Sequence, residues 1–355
     1  MGKGRSVSGL ARQMLRVMQP MARELVTGAW EGCRGADLLL TGGSGVFGGR
    51  PLAARLGIPL VQAYVQPSPP TPTGAFPCAL MPPPPFRLGS RLNRLTHALA
   101  EQAFRRTSGT ATERALAELV GPSPPTSGRR RRPAKRYPVL YGFSTHVVPR
   151  PTDWDESVHV TGYWFLEGSA DWHPPDELAA FLTSGPPPVY VGFGSMGALE
   201  SGDTAGIVLE ALRLAGQRGV VLTGAGEGIR HKTPDNILAV GTVPHDWLFP
   251  RVAAVVHHGG AGTTAAGLRA GVPSVLVPVF ADQPFWGRRV ADLGVGPEPI
   301  PHCRLAAERL ARAIGLAVSD EPMRRRAAEL GRAIRAEDGV SRAVRLVPSL
   351  TQAAG

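Results

Sequence analysis

Cysteine and aromatic residues are scarce in this chain. Its 355 residues include three cysteines, Cys33, Cys78 and Cys303, and Phe, Trp and Tyr together make up 6%. The cysteines have neither disulfide-framework nor metal-ligand spacing, so we expect reduced thiols in a cytoplasmic protein without a bound metal. Apolar runs are short as well. None approaches the ~20 residues that span a bilayer, which argues against a transmembrane helix.

Acidic residues are few in the first part of the chain. Residues 1–150 contain 21 Lys and Arg against 6 Asp and Glu, whereas the remaining residues contain 18 against 22. Such a basic half fits a nucleic-acid binder, a peripheral contact with an anionic membrane, or solvated arginine-rich faces. We expect no nucleic-acid partner and retain a peripheral membrane contact through the basic half. The opening residues predict an amphipathic helix rather than a signal peptide.

Proline-rich loops interrupt the first half, and strands alternate with helices in the second. Apolar runs that predict buried strands occupy 36–41, 58–65, 137–144, 158–164, 188–195, 219–224, 237–243, 252–260 and 273–280. Regular alternation of strands and helices is typical of a parallel sheet covered on both faces. We predict an α/β protein with an N-terminal domain over 1–165, a linker over 166–187, a C-terminal domain over 188–340 and a tail over 341–355. One long helix is predicted over 91–120.

The segment 255–296 contains the strongest functional pattern. An apolar strand ends in His257 and His258, and a glycine-rich turn then leads into a helix. Glycines let the backbone approach a ligand closely, and a helix N-terminus presents free N–H groups with a positive dipole. These features predict a site for a diphosphate. After the next strand, Asp282 and Gln283 place a carboxylate beside an amide, a pair suited to neighbouring hydroxyls of a sugar.

This segment resembles the donor signature of GT-B glycosyltransferases that use UDP- or TDP-sugars. It is most similar to that of the sterol glucosyltransferases and of the bacterial enzymes that glycosylate vancomycin-type antibiotics. The similarity extends to VYVGFGSM (189–196), NILAVGTVPHDWLFP (236–250) and VLYGFSTHVVPRPTDW (139–154). The resemblance implies a GT-B fold, in which two Rossmann-like domains face a cleft.

The resemblance also implies roles for individual residues. Thr242 and Val243 would lie beside the base and ribose, and Asp282 and Gln283 would bind hydroxyls of the transferred sugar. Plant relatives have Trp where this chain has Thr242 and Glu where it has Ala265, so the choice between UDP and TDP stays open. The residues implied to contact the diphosphate are Ser195, His257, Gly260, Gly262, Thr263 and Thr264.

The implied reaction transfers a hexose, with glucose as the first candidate, to a hydroxyl group of a small hydrophobic, lipid-like or natural-product acceptor. It would invert the anomeric carbon and need neither a metal nor a cofactor besides the nucleotide sugar as co-substrate. The family's opening strands and its general base would lie upstream of Met1. We therefore interpret the N-terminal domain as incomplete and assign no catalytic residue. A nucleotide-sugar-binding protein without turnover and a nucleotide-sugar epimerase are alternative interpretations.

Three weaker patterns favour structural roles over ligand binding. The sequence at 43–48 spells G-x-G-x-x-G, but the next strand lacks the acidic residue that a dinucleotide site requires, which favours a tight turn. Asp153 and Asp155 spell D-x-D on a loop, where we do not expect a metal. The arginines at 129–132 favour a solvated loop over a lipid contact.

Overall fold

Two parallel β-sheets, each packed against helices, form the architecture of the chain. A computed structural model describes residues 23–42, 48–68, 70–84, 88–121, 137–168, 171–193, 202–222 and 234–354. In this part of the chain, no helix combines the length and apolar character that crossing a membrane requires. Every predicted strand run contains an observed strand, so the predicted α/β architecture with parallel strands is confirmed.

The first sheet contains four parallel strands arranged in chain order. They are β1 (Leu39–Thr41), β2 (Leu60–Tyr64), β3 (Val139–Tyr141) and β4 (Val158–Val160). All three residues of β3 are buried, as expected for a parallel strand covered on both faces. Val61 and Leu140 belong to one apolar cluster, and Tyr64 and Tyr141 belong to another. Successive side chains therefore alternate between two buried faces.

The helices of the first half surround this sheet. They are α1 (Gly49–Leu56), α2 (Ser90–Phe104), a π-helical turn (Arg105–Gly109) and α3 (Thr110–Val120), and residues 23–32 are also helical. The helix predicted over 91–120 is thus two α-helices joined by the π-helical turn. Val26, Leu52 and Leu116 pack with Leu60 of β2 in one apolar cluster. This cluster fixes three helical segments against the sheet.

The second sheet contains five parallel strands. They are β5 (Val189–Gly192), β6 (Gly219–Leu222), β7 (Ile237–Val240), β8 (Ala254–His257) and β9 (Ser274–Leu276), in the order β7-β6-β5-β8-β9. Strand order therefore reverses between β5 and β8. In open α/β sheets, ligands bind at the carboxyl ends of the strands beside such a reversal.

Eight α-helices and two 3₁₀ turns complete the part of the second half that the structure describes. They are α4 (Asp176–Thr183), α5 (Gly202–Leu214), α6 (His245–Leu248), α7 (Ala261–Ala270), α8 (Gln283–Asp292), α9 (Ala307–Ser319), α10 (Glu321–Arg335), α11 (Gly339–Ala354), and the 3₁₀ turns Phe249–Arg251 and His302–Arg304. Asp320 caps α10 by accepting a hydrogen bond from the backbone N–H of Met323 at 2.8 Å.

The predicted linker and the predicted C-terminal tail both contain helices that pack against the sheets. Within the expected linker 166–187, Leu178 of α4 is buried in an apolar cluster with residues of β7. The expected tail 341–355 lies almost wholly in α11, where Ala343 and Leu350 pack against β2 and β3 of the first sheet. The chain therefore returns from the second half to the first.

Aromatic side chains join the two halves. The ring of Phe76 lies 5.6 Å from the ring of Phe285, and the ring of Phe143 lies 6.5 Å from that of Trp286, measured between centroids. Phe143 and Trp286 are fully buried. The aromatic residues at the start of α8 therefore depend on the first half for part of their packing.

Polar contacts reinforce this junction. Arg289 donates from Nε and Nη2 to the carbonyl oxygen of Val147, at 3.0 and 2.6 Å. Ser144 donates to Oε1 of Glu337 at 2.9 Å, where the chain returns between α10 and α11. Gly162, which follows β4 and has φ +101°, lies against this return segment. The two passages of the chain between the halves are thus in contact.

Helix α10 crosses α7 at a buried glycine, Gly331. A Cβ atom there would lie 2.6 Å from Cα of Gly271 and 3.0 Å from the carbonyl oxygen of Leu268. Because these are backbone atoms, Gly331→Ala should lower the free energy of unfolding by roughly 1–3 kcal/mol. Gly315→Ala in α9, where a Cβ would meet nothing within 4 Å, should raise it by about 0.5–1 kcal/mol. Urea unfolding of both variants measures these changes in the free energy of unfolding. Equal changes in the two variants would contradict the close crossing of α10 and α7.

Candidate functional site

The turn between β8 and α7 is fixed by a hydrogen bond between its own residues. The backbone N–H of Gly259 donates to Nδ1 of His257 at 3.0 Å. Gly259 adopts φ +92°, and a Cβ there would lie 3.1 Å from Leu276 and 3.2 Å from the carbonyl oxygen of Gln283. Both the backbone conformation and the crowding therefore require glycine at this position.

His257 shapes this turn and does not reach the surface. Its side chain is fully buried, and burial lowers its pKa to about 3, so the imidazole is neutral. Its Nε2 is buried and has no hydrogen-bond partner among the described residues, so the hydrogen bond from His257 to a diphosphate stays a prediction. His258 is only partly buried; burial lowers its pKa, and the Asp282 carboxylate opposes that effect. Of the two histidines, His258 has the accessible position beside Asp282.

The first turn of α7 presents backbone amides without a side-chain cap. Gly260 is the N-cap residue, and no side chain of the described residues accepts a hydrogen bond from the first turn. Gly262 is exposed, and a Cβ there would meet nothing within 4 Å. Thr263 is partly exposed. The first N–H groups of a helix lack acceptors within it and attract anions together with the helix dipole. The contacts of Gly260, Gly262 and Thr263 with an anion stay predictions.

Thr264 differs from its neighbours in this turn. It is fully buried, and both its backbone N–H and its hydroxyl donate to the carbonyl oxygen of Gly260 at 2.9 Å. Its polar hydrogens therefore stabilise the first turn of α7, and the contact between Thr264 and a phosphate oxygen stays a prediction.

Gln283 lies beside this glycine turn and holds the loop after β9 in place. Its Oε1 accepts hydrogen bonds from the N–H groups of Val279 and Phe280, at 2.8 and 3.2 Å. Its Cβ and carbonyl oxygen are the neighbours that crowd Gly259. Its amide nitrogen is therefore the side-chain atom that could donate to a sugar hydroxyl.

Asp282 is oriented by a residue whose role the sequence analysis missed. Its Oδ2 accepts a hydrogen bond from the indole N–H of Trp286 at 2.8 Å, and burial raises the pKa of its carboxyl group. The preceding residue, Ala281, adopts φ +54°, an unusual conformation for a residue other than glycine. The four-residue spacing of Asp282 and Trp286 on one helix end was the signal for this pair.

The predicted base and ribose residues lie after β7. Thr242 is exposed, and Val243 is buried in an apolar cluster. Both line a pocket of about 480 Å³ along the edge strand β7 and the start of α4. In the sheet, β6 and β5 lie between β7 and β8. After β7 the chain crosses back towards β8, and α6 on this crossing contacts α7, the helix that begins at the glycine turn. Ser195 lies outside the described residues, as do 43–47 of the glycine motif and the arginines at 129–132.

The carboxylate of Asp153, in the D-x-D pattern, accepts hydrogen bonds from residues of the first half. Burial tends to raise the pKa of its carboxyl group, but hydrogen bonds from Arg94, Gly74 and Thr73 prevail and lower the pKa to about 2. These three bonds measure 2.7, 2.9 and 2.7 Å. The carboxylate therefore anchors the proline-rich loop after β2. The described residues contain no group of three or more His, Cys, Asp or Glu side chains placed to hold a metal.

Comparison with known proteins identifies relatives along most of the chain. Residues 216–344 match the family model of the erythromycin biosynthesis protein CIII-like C-terminal domain. A sterol 3-beta-glucosyltransferase of Arabidopsis thaliana is 45% identical over 209 residues, which are 58% of this chain and 34% of the relative. One from Emericella nidulans is 38% identical over 336 residues, which are 91% of this chain and 23% of the relative. The chain thus spans about a third or less of these relatives' lengths.

Solved structures share the fold. The glycosyltransferase of kitacinnamycin superimposes with a TM-score of 0.65 at 23% identity, covering 95% of this chain and 82% of that one. The two parallel sheets of this chain, with reversed strand order in the second, agree with the GT-B architecture that the resemblance implied. The chain contains an EryCIII-like C-terminal domain, is homologous to the sterol 3-beta-glucosyltransferases and has the fold of the GT-B glycosyltransferases.

Proposed function

We propose that the chain transfers a hexose, with glucose as the first candidate, from a UDP- or TDP-sugar to a hydroxyl group of a lipid-like or natural-product acceptor. The transfer inverts the anomeric carbon and uses no metal. One observation supports this most directly: the uncapped first turn of α7 lies beside a carboxylate and an amide at the carboxyl edge of β8 and β9. An anion site and a sugar site are thereby adjacent, as a nucleotide sugar requires.

The proposed chemistry follows from this arrangement. The acceptor hydroxyl attacks the anomeric carbon, the bond from that carbon to the diphosphate oxygen breaks, and the acceptor's proton passes to a general base that we do not assign. Negative charge grows on the departing diphosphate. The amides of Gly262 and Thr263, together with the helix dipole, stabilise that charge from fixed positions. In our proposal His258, the accessible one of the two histidines, lies beside the diphosphate.

Asp282 and Gln283 hold the sugar in the same proposal. A carboxylate that already accepts one hydrogen bond from Trp286 retains acceptor capacity for a sugar hydroxyl. The amide nitrogen of Gln283 supplies a donor nearby. Because both side chains are held by protein contacts, they are positioned before the sugar binds.

Titration calorimetry of the chain with UDP-glucose, UDP and TDP tests the proposal. We expect binding of at least one nucleotide and tighter binding of the matching nucleotide sugar; no binding by any of them would refute the donor site. Release of UDP or TDP in the presence of a sterol acceptor then tests turnover. Binding without release would identify a nucleotide-sugar-binding protein without turnover.

Removal of the Asp282 charge separates sugar binding from nucleotide binding. Asp282→Asn should weaken the nucleotide sugar about tenfold or more and leave the free nucleotide unchanged, since only the sugar contacts the carboxylate. Trp286→Phe retains the ring but removes the N–H donor, and should weaken the nucleotide sugar by a smaller factor, about fivefold. Calorimetry with both ligands measures these ratios.

Glu298→Gln serves as the control. Glu298 is exposed, pairs with Arg288 at 3.6 Å and lies beyond the C-terminal end of α8, whereas Asp282 precedes its N-terminus. This variant should bind both ligands as the unmodified chain does. Equal losses of nucleotide and nucleotide sugar in Asp282→Asn would contradict the assigned role.

Substitution of His257 should change the pH dependence of stability, whereas substitution of His258 should change nucleotide affinity. In the fold, the pKa of His257 is lowered from 6.5 to about 3, so the unfolded chain binds one more proton between these values. His257 therefore makes stability fall by about 1.4 kcal/mol for each pH unit as pH drops from about 6.5 towards about 3. His257→Asn should remove that part of the slope in unfolding measured against pH. His258→Ala should instead weaken nucleotide binding about tenfold with little change in the slope; the reverse pattern would restore His257 to the diphosphate.

A further inference from the structure

Helix α2 exposes a stripe of leucines. Leu92, Leu95 and Leu99 are 51%, 51% and 48% exposed and recur at positions i, i+3 and i+7, so they share one face of the helix. A surface helix of a globular protein normally turns such a stripe towards the core. Here the stripe faces outwards over about two helical turns.

The opposite face of α2 is the one that anchors the helix. The side-chain amide of Asn93 donates to the carbonyl oxygen of Gly74 at 2.9 Å. A ring nitrogen of His97 lies 3.2 Å from the carbonyl oxygen of Phe76. Asn93 and His97 are buried. The orientation of α2 is therefore specified by polar contacts with the proline-rich loop, and rotation of the helix to bury its leucines would break them.

Basic side chains accompany the leucine stripe. Arg91, Arg105 and Arg106 are exposed, and none of them forms an ion pair with another residue of the described ranges. Glu101 is the single acidic residue of α2; it lines a pocket on another side of the helix, which Arg94 shares. The leucine face is therefore apolar and positively charged, and no carboxylate of α2 neutralises it.

We propose that this leucine face of α2 docks the chain on an anionic lipid surface. Leucines at helical spacing insert at the boundary of the acyl chains, and flanking arginines contact the phosphate groups of the lipid. The charge favours a lipid surface over a protein partner because the net charge of residues 1–150 has the same sign, so attraction extends beyond the helix. The face also lacks the Trp and Tyr side chains that dominate protein interfaces.

The proline-rich loop connects α2 with the junction of the two halves. α2 lies on the proline-rich loop, and Phe76 of that loop contacts Phe285 at the junction of the two halves. A lipid surface bound to α2 would therefore lie close to the loop that reaches the donor half. The inference does not depend on nucleotide binding, so failure of the proposed donor site would leave it intact.

Co-sedimentation of the full chain with vesicles tests the proposal. We expect binding to vesicles of phosphatidylcholine mixed with phosphatidylglycerol, weaker binding to phosphatidylcholine alone, and release by high salt. The double variant Arg105→Gln with Arg106→Gln should lower the partition coefficient about fivefold for each charge removed. Leu95→Ser with Leu99→Ser should lower it about fivefold for each leucine.

Matched substitutions outside α2 control for exposure and charge. Leu214→Ser in α5, at a leucine 44% exposed, and Arg309→Gln in α9 should bind vesicles as the unmodified chain does. Circular dichroism of every variant checks that it folds. Equal binding to both vesicle types, or unchanged binding by both α2 double variants, would overturn the proposal. So would self-association of the chain that only the leucine variant abolishes, because the face would then bind a second copy.

Discussion

The N–H groups that begin α7 have no acceptor within their own helix, and the candidate site depends on where they are placed. Their position is set by the hydrogen bond from Gly259 to His257, which directs the chain from β8 into the helix. Gly259 and Gln283 then pack closely, which brings the loop after β9 to the same edge of the sheet. A larger residue at 259 would disturb the proposed anion site and the proposed sugar site together.

Helix α8 connects that edge to the rest of the molecule. Asp282 and Gln283 lie at its start beside the glycine turn, and its next residues contact the first half through Phe285, Trp286 and Arg289. The indole that orients Asp282 is thus packed against the other half of the chain. The geometry of the proposed sugar site therefore depends on how the two halves associate, although Asp282 and Gln283, the two residues proposed to bind the sugar, belong to the second half.

Features that depend on local sequence were predictable, and features that depend on tertiary contacts were not. Apolar runs between glycines and prolines indicated the strands, because parallel strands are buried on both faces. The glycine-rich turn indicated the start of α7. The sequence could not show that His257 turns inwards while His258 remains accessible, since both follow the same strand. Nor could it show that Thr264 bonds to Gly260, or that the residues after 340 return to the first sheet, because their partners are distant in sequence or set by the fold.

The chain passes between its halves twice, and the two passages touch where Gly162 lies against Glu337 and Gly339. Two adjacent connections resist separation and sliding of the halves but permit rotation about the point where they meet. This place is therefore the natural pivot of the molecule. Rotation there would have to break the aromatic contacts of Phe76 with Phe285 and of Phe143 with Trp286, so these contacts hold the two halves in the described arrangement.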